Sequence, residues 1–409
     1  MATCRRHERG RSRVHGVRRL AGIVLAGACT LAAAQPLGAV AALGRKAFFD
    51  ASLSASGRLA CATCHDPAHA HAPGNALAVQ LGGARLDRPG ARAVPSLRYL
   101  HTNGPLTVRP DGTVAGGFDW DGRAQSLAAQ AAGPLLEPNE MANRDRADVL
   151  AKLRRAPYAD GFRRVFGAAI FARPAAAFAR LAQALARYQI ESPEFHPYDA
   201  KFDAVRAGRA RFTPAEARGQ RIFDDPARGN CAACHTSAPG PGGAPPLFTD
   251  FTYDSTGVPR NRTLAANAAP RRFDLGLCAV ASFRRVVRRD RNAQCGKFRV
   301  PTLRNVATRQ VFFHNGRFAS LREVLEFYAR RDTEPQRWYP PDARGVPQVF
   351  DDLPPALGTN VNRTEVPYDR KPGRAPAFDA ADIDDLLQFL ATLGDGWKPA
   401  PQQVAVAGQ

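Results

Sequence analysis

Two pentapeptides carry the recognisable chemistry of this sequence. Cys61–His65 reads CATCH and Cys231–His235 reads CAACH, so Cys-x-x-Cys-His occurs twice, 170 residues apart. That pattern attaches haem c. Two thiols bond the vinyl groups of the porphyrin, and the adjacent histidine is left to ligate the iron. A zinc site would need a third and fourth ligand near each copy, and no second Cys-x-x-Cys accompanies either. A thiol–disulfide redox motif has no use for the histidine twice. The spacing points to two covalently bound haems c, held by Cys61 and Cys64 and by Cys231 and Cys234, with His65 and His235 as proximal ligands.

The ligand on the other side of each iron decides the reaction. A closed iron carries electrons, whereas an open one meets peroxide or oxygen. Electron-carrying c haems commonly use methionine. The chain has two methionines, Met1 and Met141, and Met1 belongs to a leader described below. At most one haem can take methionine, which excludes a pair of His/Met carriers.

The halves repeat beyond the pentapeptides. VPSLRYL (Val94–Leu100) echoes VPTLRNV (Val300–Val306), and FDWDGRAQSL (Phe118–Leu127) echoes FFHNGRFASL (Phe312–Leu321). Trp120 aligns with His314. Fourteen residues further on, the second half has Tyr328 where the first has Pro134. A phenolate ligates iron and proline does not, so this position is able to close the second site and leave the first open. A tyrosine that only packs in the core is the alternative.

The elements that must position these groups read as helices. Thr213, Pro214 and Glu216 form an N-cap, first-turn proline and capping box ahead of the second pentapeptide. Ser320 and Glu323 form another, starting a helix with Leu321, Val324, Leu325 and Tyr328 on one face. Pro174–Ile190 carries Phe178, Leu181, Leu185 and Tyr188 on a stripe. The last helix, about Asp379–Leu393, buries Ile383, Leu386, Leu387 and Leu390 and stops at Gly394. Strand signals are few, and TSAPGPGGAPP and WYPPDARGVPQ read as loops. The expected fold is mainly α: two tandem cytochrome c-like haem domains over residues 35–205 and 206–409, with long loops and little strand.

Residues 1–34 read as a separate signal peptide. Seven arginines precede LAGIVLAGACTLAAA (Leu20–Ala34), an apolar run too short to span a bilayer comfortably. Export with cleavage near Ala34 and a periplasmic location are expected, with no membrane span in the remainder. The formal charge is +20. Without the leader, fifty basic side chains face thirty-six acidic ones, and no basic tract remains. A nucleic-acid partner is therefore not expected, and some arginines are free to pair with acidic groups of a cofactor. Of eight cysteines, Cys278 and Cys295 lie outside leader and pentapeptides. In an oxidising compartment they are expected to form a disulfide, free thiols being the alternative.

Six segments in order, KAFFDASLS, CATCHDPAHA, WDGRAQSLAAQAAGPLLEPNEMA, FTPAEARGQRIFDDPARGNCAACH, TGVPRN and VPTLRNVATRQVFFHNGRFASLREVLEFY, resemble the dihaem bacterial cytochrome c peroxidase family, and within it the MauG-like branch. The resemblance covers nearly all of the chain after the leader. It implies a peroxidatic first haem and a second haem that relays electrons. Peroxidases fed by cytochrome c carry methionine where Tyr328 stands; MauG-like proteins carry tyrosine there, as axial ligand of the second haem. Such a hard anionic donor stabilises the higher oxidation states of the iron. The distal pocket of the first haem maps onto Gln130, Pro134 and Glu140. Glu140 would shuttle a proton between the two peroxide oxygens, and Gln130 would hydrogen-bond the peroxide or order a water. Trp120 would mediate hole transfer between the haems. His314 would lie near the second haem, tuning it or simply packing.

The chain departs from the family in three places. No histidine follows the first pentapeptide in the stretch VQLGGARLDRPGARAVPSL, where many members carry one that plugs the first haem, and His69 and His71 lie too close to His65 for that role. The family often binds one calcium ion between the haems, through an asparagine and backbone carbonyls near Thr308 and Gln310, but Ala93 stands at the asparagine position. MauG-type enzymes carry a surface tryptophan two residues before the second pentapeptide, where this chain has Gly229. Cross-linking of methylamine dehydrogenase tryptophans is accordingly not expected. The expected function is a periplasmic dihaem peroxidase that reduces hydrogen peroxide and is served by an electron donor, a small cytochrome or another redox protein. The alternatives are a peroxidase of the cytochrome-fed type and a non-catalytic dihaem electron carrier or peroxide sensor.

Overall fold

In each half a helix leads into the pentapeptide and is crossed by the last helix of that half. The computed structural model describes residues 36–287 and 290–399; the leader expected over residues 1–34 lies outside them. The first half contains α1 (Ala39–Phe48), the single turn α2 (Cys61–Cys64), α3 (Leu127–Leu136), α4 (Arg146–Leu153), α5 (Ala159–Phe166) and α6 (Pro174–Glu191). Straddling the expected boundary at 205, α7 (Lys201–Arg206) packs Phe202 into the second half's core, and the second half contains α8 (Pro214–Asp224), α9 (Ala281–Val286), α10 (Leu321–Arg330) and α11 (Ala380–Ala391). Strand among the described residues is limited to three antiparallel ribbons of two-residue strands and a few isolated bridges. The mainly helical, loop-rich architecture matches the expectation.

Glycine sets both crossings. A Cβ on Gly44 of α1 would lie 1.8 Å from the Ala184 carbonyl of α6, and one on Gly219 of α8 would lie 2.0 Å from the Asp385 carbonyl of α11. Only a bare Cα lets the backbones approach this closely. Each crossing sits over its own apolar core. The first gathers Phe48, Leu150, Phe162, Leu181 and Tyr188; the second gathers Phe202, Phe223, Phe248, Phe327 and Phe389. A smaller cluster surrounds the Cys278–Cys295 disulfide, the pairing expected from the sequence. Met141 is buried in the first core.

The sequence repeat is also a repeat of structure. Phe118 pairs with Ala124, and Phe312 pairs with Phe318, in matching antiparallel bridges. Each bridge leads to a serine N-cap and a ten-residue helix. Ser126 Oγ accepts from Ala129 N at 3.1 Å, and Ser320 Oγ accepts from Glu323 N at 3.1 Å. Pro134 and Tyr328 therefore occupy equivalent turns of α3 and α10. The capping box at Thr213 is complete, with Thr213 N on Glu216 Oε2 at 2.7 Å and Glu216 N on Thr213 Oγ1 at 3.3 Å. The box expected at Ser320 is half-formed, because the Glu323 carboxylate faces Ala319 N instead. In α11, Phe389 takes the buried place expected of Leu387, which is only half-buried. The bulkier aromatic joins a cluster with Phe202, Phe223 and Phe248.

Polar groups knit the halves together. The Asp395 carboxylate accepts from Arg98 and Tyr99 of the first half and from Asn305 of the second, at 2.8, 2.5 and 2.6 Å. No described helix is long and apolar enough to cross a membrane.

Candidate functional site

Both pentapeptides fold as one turn, with His65 N on the Cys61 carbonyl at 2.9 Å and His235 N on the Cys231 carbonyl at 2.8 Å. The turn sets thiols and imidazole side by side. The rings are held alike: Nδ1 of His65 lies 3.2 Å from the His71 carbonyl and Nδ1 of His235 lies 3.1 Å from the Phe248 carbonyl. A carbonyl only accepts, so Nδ1 carries the proton and Nε2 keeps its lone pair for a metal. Burial lowers His65 to about 4 and holds His235 below the usual histidine range, so both rings are neutral. None of the four cysteines is in a disulfide. Burial pushes Cys61 up to about 12 and Cys64 to about 11, and Cys231 and Cys234 to about 12.

These groups lie deep, yet all keep accessible surface. They therefore face internal crevices rather than packed core, as residues that hold a flat ring must. In the second half, Cys231, Cys234, His235, Tyr328, His314 and Trp120 line one cavity. Tyr328 comes from the face of α10 that the sequence pattern marks. Its hydroxyl is held above the usual tyrosine range, chiefly by burial. Tyr368 stacks on it, ring centroids 5.6 Å apart and planes 29° apart. The buried Tyr368 hydroxyl lies beside that of Tyr328, and the guanidinium of Arg331 lies 3.9 Å from the Tyr368 ring.

The first half presents different groups in the corresponding place. Pro134 lacks an N–H, so the Gln130 carbonyl one turn earlier has no helical donor. Glu140 follows in a tightly held loop: Glu140 N bonds the Glu137 carbonyl at 2.9 Å, and its own carbonyl accepts from Gly83 N at 2.8 Å. Burial pushes Glu140 up to about 7; the charges of Glu137 and Asp119 add to this and Arg123 opposes it. Glu140 as a whole is exposed, while its carboxyl group is crowded by protein atoms and its charge is felt at Cys61 and Cys64 of the first pentapeptide. The Gln130 amide donates to Asp119 Oδ1 at 3.4 Å.

Trp120 lies between the two sets. Its Nε1 donates to the Ala93 carbonyl at 2.7 Å, and its own carbonyl accepts from Arg299 N at 2.7 Å. His314 is buried, stacked on Phe298 at 3.5 Å, with Nε2 3.6 Å from Asp352; its carbonyl accepts from Ala93 N at 2.8 Å.

The stretch expected to offer calcium its backbone carbonyls runs Thr308–Gln310. Thr308 Oγ1 bonds the Asn305 carbonyl at 2.8 Å, Gln310 is exposed, and Ala93 offers a methyl group. The described residues contain no cluster of three or more His, Cys, Asp or Glu side chains able to hold a metal. At Gly229 a Cβ would lie 2.2 Å from the Ile222 carbonyl. This backbone leaves no room for a tryptophan there.

Three residues of the site escape the sequence reading. Asp119 has the apolar Phe313 as its counterpart in the repeat, so alignment of the halves hides its charge. Tyr368 lies in the loop ahead of α11, outside the repeat. Arg309 is one of many arginines; only its position between Thr308 and Gln310 marks it.

Residues 38–211 match the family model described as di-haem cytochrome c peroxidase. The chain is 36% identical to the methylamine utilization protein MauG of Paracoccus denitrificans, covering 87% of this chain and 89% of that protein. It is 29% identical to the cytochrome c551 peroxidase of Nitrosomonas europaea, over 71% of this chain and 73% of the relative. The crystal structure of the diheme peroxidase BthA from Burkholderia thailandensis superposes with a TM-score of 0.81 at 39% identity, covering 89% of this chain and 88% of that one. The duplicated helical halves, the paired pentapeptides and these likenesses agree: the chain belongs to the di-haem cytochrome c peroxidase family that includes the MauG proteins.

Proposed function

We propose that this protein is an exported, periplasmic dihaem peroxidase of the MauG type, reducing hydrogen peroxide at an open first haem. The observation that carries this is the asymmetry of the two halves at equivalent turns of α10 and α3: a tyrosine in one, and in the other a proline followed by a carboxyl group poised near neutrality. The two haems, bound through Cys61, Cys64 and His65 and through Cys231, Cys234 and His235, supply an iron that takes up peroxide and a second redox centre. Tyr328 is the residue able to close the second centre. Residues 35–205 form the peroxidatic domain and 206–409 the electron-transfer domain.

Glu140 does the proton work. As carboxylate it would take a proton from one oxygen of the peroxide and return it to the other, which would leave as water. Two electrons and two protons convert one peroxide to two waters, the electrons coming from an external redox partner. A group titrating near 7 does both jobs at neutral pH with little penalty. Asp119 lies beside it and accepts from the Gln130 amide. Trp120 bridges the halves as the side chain through which oxidising equivalents pass. The disulfide and the apolar leader support export.

The test is the EPR spectrum of the ferric, fully haem-loaded protein. One high-spin and one low-spin signal are expected. Two low-spin signals would mean a hidden ligand on the first haem, and with it a carrier or an enzyme that requires reductive activation.

A further inference from the structure

We propose that the guanidinium of Arg309 is the built-in cation that ties the two halves together between the haem sites, and that this chain binds no calcium there. Arg309 belongs to the second half. Its Nη2 donates to the Val94 carbonyl of the first half at 3.1 Å, and its Nε donates to the Val311 carbonyl at 3.2 Å. Carbonyl oxygens are also what a calcium ion seeks. Here the Val94 and Val311 carbonyls are occupied by a fixed positive charge, carried by the residue between Thr308 and Gln310, whose own carbonyls are the expected calcium donors.

The surroundings suit a monovalent, directional cation and not a calcium ion. Calcium takes six to eight oxygens, several of them carboxylates. The residue before Val94 is Ala93, which has no side-chain oxygen. The acids nearest this strip are already engaged: Arg92 lies 2.7 Å from Asp121 and makes two 2.7 Å hydrogen bonds to Asp274. Arg92 is also packed over Phe298 at 5.4 Å. Among the described residues no carboxylate side chain pairs with Arg309, whose guanidinium is given to two carbonyls. A divalent ion beside that charge would meet repulsion from it.

Arg309 thereby acts as a positioning residue for Trp120. The strip Arg92–Val94 is held by Arg92 on Asp274, by Ala93 N on the His314 carbonyl, and by Arg309 on the Val94 carbonyl. The Ala93 carbonyl in the middle of that strip is the acceptor of the Trp120 indole. Loosening one end would let the indole shift between the haems.

Elemental analysis of the dialysed haem-loaded protein, with melting curves in chelator and in added calcium chloride, is the first measurement. The expected result is no retained calcium and the same melting temperature in both. Near-stoichiometric calcium that survives dialysis, or a melting temperature raised by calcium, would overturn the proposal. The second arm is Arg309→Gln, read by the rate at which oxidation by peroxide spreads from the first haem to the second. A severalfold slowing that added calcium does not restore is expected, at unchanged haem content. An unchanged rate overturns the positioning role. If the variant fails to fold, the calcium measurements on the unaltered protein still decide.

Discussion

Glu140 is legible in the sequence only as an acidic residue in a familiar stretch; its chemistry comes from where the loop puts it. Burial together with the charges of Glu137 and Asp119 raises it to about 7. The proposed role needs the deprotonated form to begin, so the peroxide reaction should rise with pH through about 7 and then level off. Glu140→Gln should slow the reaction by about 10²–10⁴-fold and remove that inflection; stopped-flow traces across pH check both, and unchanged kinetics would dismiss Glu140 from the mechanism. Tyr368 gives a prediction of stability. Its buried hydroxyl lies beside that of Tyr328, and losing one partner of a buried hydrogen bond costs about 1–3 kcal/mol. Tyr368→Phe should keep the stack on Tyr328 and destabilise by about 1 kcal/mol in chemical denaturation. Unchanged stability would mean that the two hydroxyls do not pair. Residues such as Asp119 and Tyr368 escape the sequence because their significance is a distance, and neither lies in a motif or a matching repeat position.

At the scale of elements, much is legible. Cap residues, the repeat and apolar stripes announce α6, α8, α10 and α11, because capping and periodicity are local properties of the chain. The paired helix crossings also have a signature, Gly44 four residues before Phe48 and Gly219 four before Phe223, but a lone glycine has no visible partner until the fold brings one. Gly44→Ala and Gly219→Ala should each force their helix pair apart. A loss of about 1–3 kcal/mol is expected for such overpacking, read from urea unfolding of the haem-loaded protein. Neutral behaviour at both positions would mean that the crossings shift without penalty. Where the reading of elements erred, tertiary packing decided: Phe389 displaces Leu387 from the core, and Glu323 turns to Ala319 instead of closing its box.

At the scale of the whole molecule the two halves form one redox unit only if charge can cross between them. The side chain proposed for that is Trp120, which lines the cavity of the second pentapeptide and His314 while its own segment leads into the first half's α3. Its geometry is fixed from both sides: the indole nitrogen on the Ala93 carbonyl and the backbone carbonyl on Arg299 N. Indole is readily oxidised and benzene is not, while phenylalanine fills much of the same space. Trp120→Phe should therefore leave the first haem's initial reaction with peroxide near its original rate and slow the subsequent oxidation of the second haem. Freeze-quenched EPR after one equivalent of peroxide reads the two haems separately and so distinguishes these steps. A second haem that is oxidised as fast in the variant would show that charge takes another route, and the held indole would then be a packing element of the interface.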